Sequence, residues 1–245
     1  MENNDAKVAQ QDKAGNAEQQ GEVPYQPFVQ WVVKISKQCN LRCTYCYEFP
    51  YLSDPARMSL QELKRMFKNI ADYYGGTGQR MDFVWHGGEP LLVPADVYRA
   101  IGDIQQEVLG SAAVPFGNSV QTNLVHLTDD VINLFGSFFS NVGVSIDLFG
   151  DQRVNVVGRP VQKKVLENMQ RLQDAGIPFG GITVLSKLTA PHAVKIYQFF
   201  EDIDAGFRFL PIYRTGYEGQ QEELALTSKE IVDIFKKSCQ LLDEN

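Results

Sequence analysis

Cys39, Cys43 and Cys46 crowd into the run Lys37-Gln38-Cys39-Asn40-Leu41-Arg42-Cys43-Thr44-Tyr45-Cys46-Tyr47, directly after an apolar run that reads as a buried strand. Three thiolates this close in one loop can hold three irons of a cubic four-iron, four-sulfur cluster and leave the fourth without a protein ligand. An iron left open in this way is a place for chemistry. A closed electron-transfer cluster or a structural zinc site would want a fourth ligand. The only other cysteine, Cys239, lies far downstream in a predicted helix and reads as a buried or idle thiol.

Further polar or glycine-rich clusters recur along the chain at places where a strand should end. His86-Gly87-Gly88-Glu89-Pro90 pairs two glycines, which let backbone approach a ligand closely, with a carboxylate in a turn stiffened by proline. Gln121-Thr122-Asn123 offers three side chains that donate and accept hydrogen bonds. In Ser145-Ile146-Asp147, an extended backbone puts Ser145 and Asp147 on one face and Ile146 on the other. Arg153 and Arg159 bring guanidinium groups that can pair with a carboxylate through two hydrogen bonds, Arg153 being preferred.

These clusters must be positioned by regular elements. Trp31–Ser36 reads as a first strand, followed by the cysteine loop. Ser59 with Glu62 forms a capping box, which starts a helix that runs to Tyr74 and stops at Gly75-Gly76. Strands are expected at Met81–Trp85, Ser119–Gln121, Asn141–Ile146, Phe179–Leu185 and Phe207–Ile212. Helices are expected at Asp96–Leu109, after Thr128, at Val161–Ala175, Ala193–Ile203 and Thr227–Leu242. Alternation of this type forces parallel pairing through right-handed crossovers, and six units fall short of the eight of a closed barrel. The expected fold is therefore α/β, a partial (β/α)6 TIM-like barrel of parallel strands with outer helices. Its loops after successive strands should converge on one site. Residues 28–245 form this core domain, and residues 1–27, rich in Asn, Gln, Ala, Lys and Glu, read as a disordered tail.

Composition narrows the function. The formal net charge of -7 gives no general attraction to phosphate backbones, which argues against nucleic acid as a partner. No apolar stretch approaches the roughly 20 residues that span a bilayer, so no membrane is expected. The first residues lack the apolar core of a signal peptide, and three crowded thiols suit a reducing compartment, so the expected address is the cytoplasm.

The combination Cys-Asn-Leu-Arg-Cys-Thr-Tyr-Cys-Tyr, His-Gly-Gly-Glu-Pro, Gln-Thr-Asn and Ser-Ile-Asp resembles the peptide- and protein-modifying branch of the radical S-adenosylmethionine superfamily, over residues 28–242. The resemblance implies a 4Fe-4S cluster held by Cys39, Cys43 and Cys46. The amino and carboxylate groups of S-adenosylmethionine would then chelate the open iron. It also implies a cofactor edge formed by Gly87, Gly88 and Glu89, with Gln121 and Asn123 near ribose or substrate. Ser145 would lie near the polar groups of the cofactor and Asp147 near ribose or substrate. The family's Gly-Pro after this Ser-x-Asp is here Leu148-Phe149, which leaves the path of the loop open. The family's arginine falls in the region of Arg153. Tyr45 and Leu210, with Pro211, would form an apolar wall for adenine. Tyr47 and His86 receive no catalytic role, and no catalytic acid or base is named.

On this resemblance an external one-electron donor of the flavodoxin or ferredoxin type reduces the cluster. S-Adenosylmethionine is then cleaved to a 5'-deoxyadenosyl radical, which abstracts hydrogen from a ribosomally made precursor peptide. The favoured outcome is a maturase that forms a cyclophane carbon–carbon or thioether crosslink. The alternative is sulfatase-maturase-like oxidation of a Cys or Ser side chain to formylglycine. Many relatives continue into a cysteine-rich domain with auxiliary clusters, and the chain as given is expected either to be truncated before it or to manage without it. Two other classes compete: a non-catalytic iron-sulfur or zinc redox module, and thiol–disulfide exchange through Cys43 and Cys46.

Overall fold

A computed structural model describes residues 28–218 and 220–243, with side chains described as far as residue 236. The tail expected over residues 1–27 and the burial expected of Cys239 lie outside the described residues. Six strands, β1 (Phe28–Ser36), β2 (Arg80–Gly87), β3 (Phe116–Thr122), β4 (Asn141–Ser145), β5 (Phe179–Leu185) and β6 (Phe207–Pro211), form one sheet in chain order. Every neighbouring pair is parallel. The helices between them are α1 (Leu60–Tyr74), α2 (Ala95–Gln105), α3 (Asp129–Leu134), α4 (Gln162–Asp174) and α5 (Ala193–Asp202), with α6 (Ser228–Asp243) after β6. This is the expected partial (β/α)6 barrel, a half-barrel with helices outside.

Period-two alternation divides each strand between two environments. Val33, Ile35, Met81, Phe83, Trp85, Val120, Val142, Val144 and Leu185 are buried among the helices, whose matching stripes are Leu63, Phe67 and Ile70 on α1 and Val165, Met169 and Leu172 on α4. Each such buried aliphatic or aromatic side chain stabilises the fold by roughly 1.5–3 kcal/mol. The intervening residues, Lys34, His86, Gln121, Ser145, Val184 and Leu210 among them, are less buried and lie on the other face of the sheet. That face carries the site.

Local chemistry sets the element ends. Ser59 accepts from the Glu62 N–H while the Glu62 carboxylate accepts from the Ser59 N–H, the expected capping box. Thr128 caps α3 through the Val131 N–H. α2 keeps its α-helical form as far as Gln105 and continues as one π-helical turn over Gln106–Gly110, so the helical run covers the expected Leu109. At this junction Gln105 and Asn118 exchange hydrogen bonds of 3.0 and 2.9 Å, and the Trp85 indole donates to Asn118 at 2.8 Å. β2 runs two residues further than its apolar pattern predicts, so His86 and Gly87 end the strand rather than begin the loop. β4 stops one residue early, at Ser145.

Candidate functional site

The cysteine loop leaves β1 and is held from two sides. On one side, the Gly88 N–H donates to Ser36 O at 3.0 Å and the Glu89 N–H to Gln38 O at 2.8 Å. A Cβ on Gly88 would come within 2.2 Å of the Gln38 and Lys37 carbonyls, and one on Gly87, whose φ is +121°, within 2.1 Å of Ser36 O. The glycine pair is thus required by the cysteine loop itself, as well as bordering the cavity in front of it. On the other side, Arg42 N–H donates to Val154 O at 2.7 Å and Thr44 N–H to Gln152 O at 3.0 Å.

Cys39, Cys43 and Cys46 are all free thiols and line one cavity of about 250 Å³ at the carboxyl ends of the strands. Among the described residues, no three His, Cys, Asp or Glu side chains are gathered as they would be around a single metal ion. Burial pushes the Cys39 thiol up to about 11 and the Cys43 thiol up to about 12, and raises Cys46 as well. They therefore keep their protons near neutral pH, and metal binding must release them.

Sequence-expected residues Tyr45, Gly87, Gly88, Gln121, Asn123, Ser145, Arg153 and Leu210 also line this cavity. Gln121 donates to the Ser145 hydroxyl at 2.7 Å, and Gly143 makes room for it: a Cβ there would lie 2.1 Å from the Gln121 amide oxygen. Asn123 donates to the Asn40 side chain at 2.8 Å and lies 3.8 Å from Cys39 Sγ. Leu210 remains 43 % exposed at the mouth.

Two expected residues stand elsewhere. Glu89 is buried outside the cavity wall; its carboxylate accepts from the Asn123 and Leu91 N–H groups and the Thr122 hydroxyl, at 2.7, 2.8 and 2.7 Å. It braces the ends of β2 and β3. Asp147 does not share the cavity face with Ser145, because β4 ends at Ser145 and the two-residue alternation ends with it. Asp147 lies beneath, accepting from the Tyr45 hydroxyl at 2.5 Å and the Val184 N–H at 2.9 Å, with Arg153 Nε at 3.2 Å.

Several site residues carry no sequence signal that points here. Lys34, at the end of β1, forms an ion pair with Glu48 and lies 5.0 Å from the centre of the Tyr47 ring. The Tyr47 edge meets Tyr213, and Tyr51 likewise meets Tyr217, with Lys37 4.2 Å above the Tyr51 ring. Gln220 donates to Tyr45 O at 2.9 Å and Tyr213 O at 2.7 Å, and the Gln221 N–H donates to Thr44 O at 2.7 Å. The segment after β6 therefore lies across the cysteine loop. His86 borders the cavity, and burial together with Lys34 lowers its pKa.

Three thiols on a loop after the first strand of a parallel half-barrel match a known sequence pattern, that of the Radical SAM superfamily, over residues 33–200. The chain belongs to the radical SAM superfamily.

Its curated relatives include the Serine-type anaerobic sulfatase-maturating enzyme of Bacteroides thetaiotaomicron, 30% identical over 202 residues that cover 77% of this chain and 48% of that protein. The Cysteine-type anaerobic sulfatase-maturating enzyme of Clostridium novyi is 28% identical over 181 residues, 71% of this chain and 48% of that protein. The chain thus spans about half the length of these relatives. Among solved structures, native anSMEcpe with bound AdoMet and Cp18Cys peptide superposes with a TM-score of 0.72 at 22% identity, covering 88% of this chain and 59% of that one. Streptococcus suis SuiB gives a TM-score of 0.62 at 12% identity, covering 89% and 47%. At these identities the likeness establishes the fold. Radical SAM proteins use a 4Fe-4S cluster and S-adenosylmethionine, and three free thiols facing one cavity beside a polar wall fit that pair.

Proposed function

We propose that the chain is the radical-generating core of an enzyme that abstracts hydrogen from a peptide or protein side chain. The observation that carries this reading is the shared cavity: three thiols, the Gly87-Gly88 edge, the Gln121–Ser145 pair, Asn123 and Leu210 line one space. Cys39, Cys43 and Cys46 would hold the cluster. Gly87, Gly88, Gln121, Asn123 and Ser145 would hold the polar end and ribose of S-adenosylmethionine, and Tyr45 and Leu210 its adenine. When bound, these cofactors supply a hydrogen-abstracting alkyl radical.

The chain's own residues position and exclude. Gln121 is held in one orientation by its bond to Ser145, with its amide oxygen over Gly143, so the Gln121–Ser145 pair is set at a fixed place in the cavity wall. The buried walls, Leu41, Tyr45 and Leu52 among them, keep water from a centre that would react with almost any neighbour. His86 and Glu48 add polar groups to the cavity lining, and Lys34 pairs with Glu48.

Of the two products considered, oxidation of a Ser or Cys side chain to formylglycine has the support of the sulfatase-maturating relatives. The crosslink, cyclophane or thioether, rests on the motif resemblance. A one-electron donor of the flavodoxin or ferredoxin type and a cytoplasmic address complete the proposal; among the described residues no helix is long and apolar enough to cross a membrane. A redox-only module would leave the polar wall beyond the thiols without a task, and thiol–disulfide exchange would leave Cys39 without one.

The test is anaerobic reconstitution with iron and sulfide, followed by dithionite and S-adenosylmethionine. Formation of 5'-deoxyadenosine, lost in Cys43→Ala, is expected. A reconstituted protein that binds iron yet never yields 5'-deoxyadenosine would overturn the reading. Peptides bearing the Ser- or Cys-type sulfatase motif then separate the two products by mass.

A further inference from the structure

We propose that Arg153 is a positioning residue for the cluster: it stands behind Cys43 as a fixed positive charge and donor to that sulfur, easing reduction, instead of clamping the carboxylate of S-adenosylmethionine. The inference rests on the cofactor reading above and goes beyond it.

Backbone register makes the placement. The residues on either side of Arg153, Gln152 and Val154, accept hydrogen bonds from Thr44 and Arg42, the residues on either side of Cys43. Arg153 is thereby set opposite Cys43, and its Nη1 lies 3.9 Å from Cys43 Sγ. The Val161 N–H holds the Arg153 carbonyl at 3.1 Å, which fixes the other end of the short segment.

The guanidinium has two further neighbours, Asp147 and Tyr45. Its Nε is 3.2 Å from the Asp147 carboxylate, though not aligned as a hydrogen bond, and its plane lies 5.7 Å from the Tyr45 ring centre. Asp147 is itself pinned by the Val184 N–H and the Tyr45 hydroxyl. The Arg153 side chain is only 11% exposed, and that of Asp147 is 0% exposed. Although Arg153 borders the cavity, its buried position beside Asp147 and Tyr45 turns the fork toward Cys43. A donor to a cluster sulfur and a buried cation beside it both favour the more negative, reduced state.

The experiment uses the reconstituted full chain as wild type, Arg153→Lys, Arg153→Met and Asp147→Asn. Iron and sulfide content and the melting temperature are recorded first, the midpoint potential is read by electron paramagnetic resonance during dithionite titration without S-adenosylmethionine, and cofactor affinity is measured last. Arg153→Met should lower the ratio of reduced to oxidised cluster at fixed potential by about tenfold, which is about 59 mV for one electron. Its affinity for S-adenosylmethionine should stay within about threefold of wild type, and Arg153→Lys should restore most of the potential. Asp147→Asn, which leaves the cation uncompensated, should move the potential the opposite way. That opposite shift decides the matter if Arg153→Met fails to fold. An unmoved potential in the variants, with affinity for S-adenosylmethionine down tenfold or more, would overturn the inference in favour of the carboxylate clamp. A wild type that takes up no iron would instead overturn the cofactor reading, and this inference with it.

Discussion

The side-chain amide of Gln220 donates to the carbonyl of Tyr45 at 2.9 Å, across 175 residues of chain, and its oxygen accepts from the Thr215 N–H and hydroxyl at 3.0 and 2.9 Å. Gln220→Glu keeps the acceptor and replaces the donor that serves Tyr45 and Tyr213 with a second carboxylate oxygen facing their carbonyls. At about 1 kcal/mol for each lost bond, the melting temperature should drop by roughly 4–8 °C. Affinity for S-adenosylmethionine should weaken with it, since Tyr45 and Tyr213 both line the cavity. Calorimetry and equilibrium binding check the two effects.

Gly143→Ala should separate binding from stability. The new methyl would meet only the far end of the Gln121 side chain, which can swing away at the loss of its bond to Ser145. Stability should change by about 1 kcal/mol or less, while S-adenosylmethionine binds several-fold more weakly. A variant that binds as tightly as wild type would show that the Gln121–Ser145 pair does not face the cofactor.

Gly88→Ala has no such relief, because its methyl would press on two backbone carbonyls of the cysteine loop. Loss of iron uptake is expected together with a destabilisation of about 2 kcal/mol or more, read by urea unfolding.

Glu89→Ala leaves the Asn123 and Leu91 N–H groups and the Thr122 hydroxyl without their acceptor in a buried place. A buried unpartnered polar group costs about 1–3 kcal/mol, so the unfolding midpoint should fall by the equivalent of roughly 3 kcal/mol or more. Glu89→Gln should recover part of this, because one oxygen survives.

His86 carries a pH dependence. Burial, then Lys34, lowers its pKa below the ordinary value, so in mildly acidic solution the unfolded chain binds a proton that the folded chain refuses. Its contribution is complete above about pH 6.5 and is lost as the pH falls from there toward the folded value. His86→Gln should flatten that part of the stability profile, measured by urea unfolding at successive pH values.

Local sequence signals carried the architecture far. The Ser59 capping box, the Thr128 cap and the span of β5 appear where spacing and residue type put them. The cysteine triplet named its own loop. What stayed illegible depends on partners distant in sequence. Nothing near Asp147 says that Tyr45 and Val184 will take its carboxylate, and nothing near Gln220 points to Tyr45. Strand ends were misjudged for a related reason: β2 gains His86 and Gly87 by pairing with Lys34 and Ser36 of β1, a cross-strand fact that apolar alternation does not encode.

β1 and β6 are the two edges of the sheet, yet the segments that follow them are fastened together where Gln220 and Gln221 grip Tyr45 and Thr44. The vessel is hooped at its rim and slit down its side. The cysteine loop is thereby tied to both borders of the sheet, although β1 and β6 share no ladder of hydrogen bonds with each other.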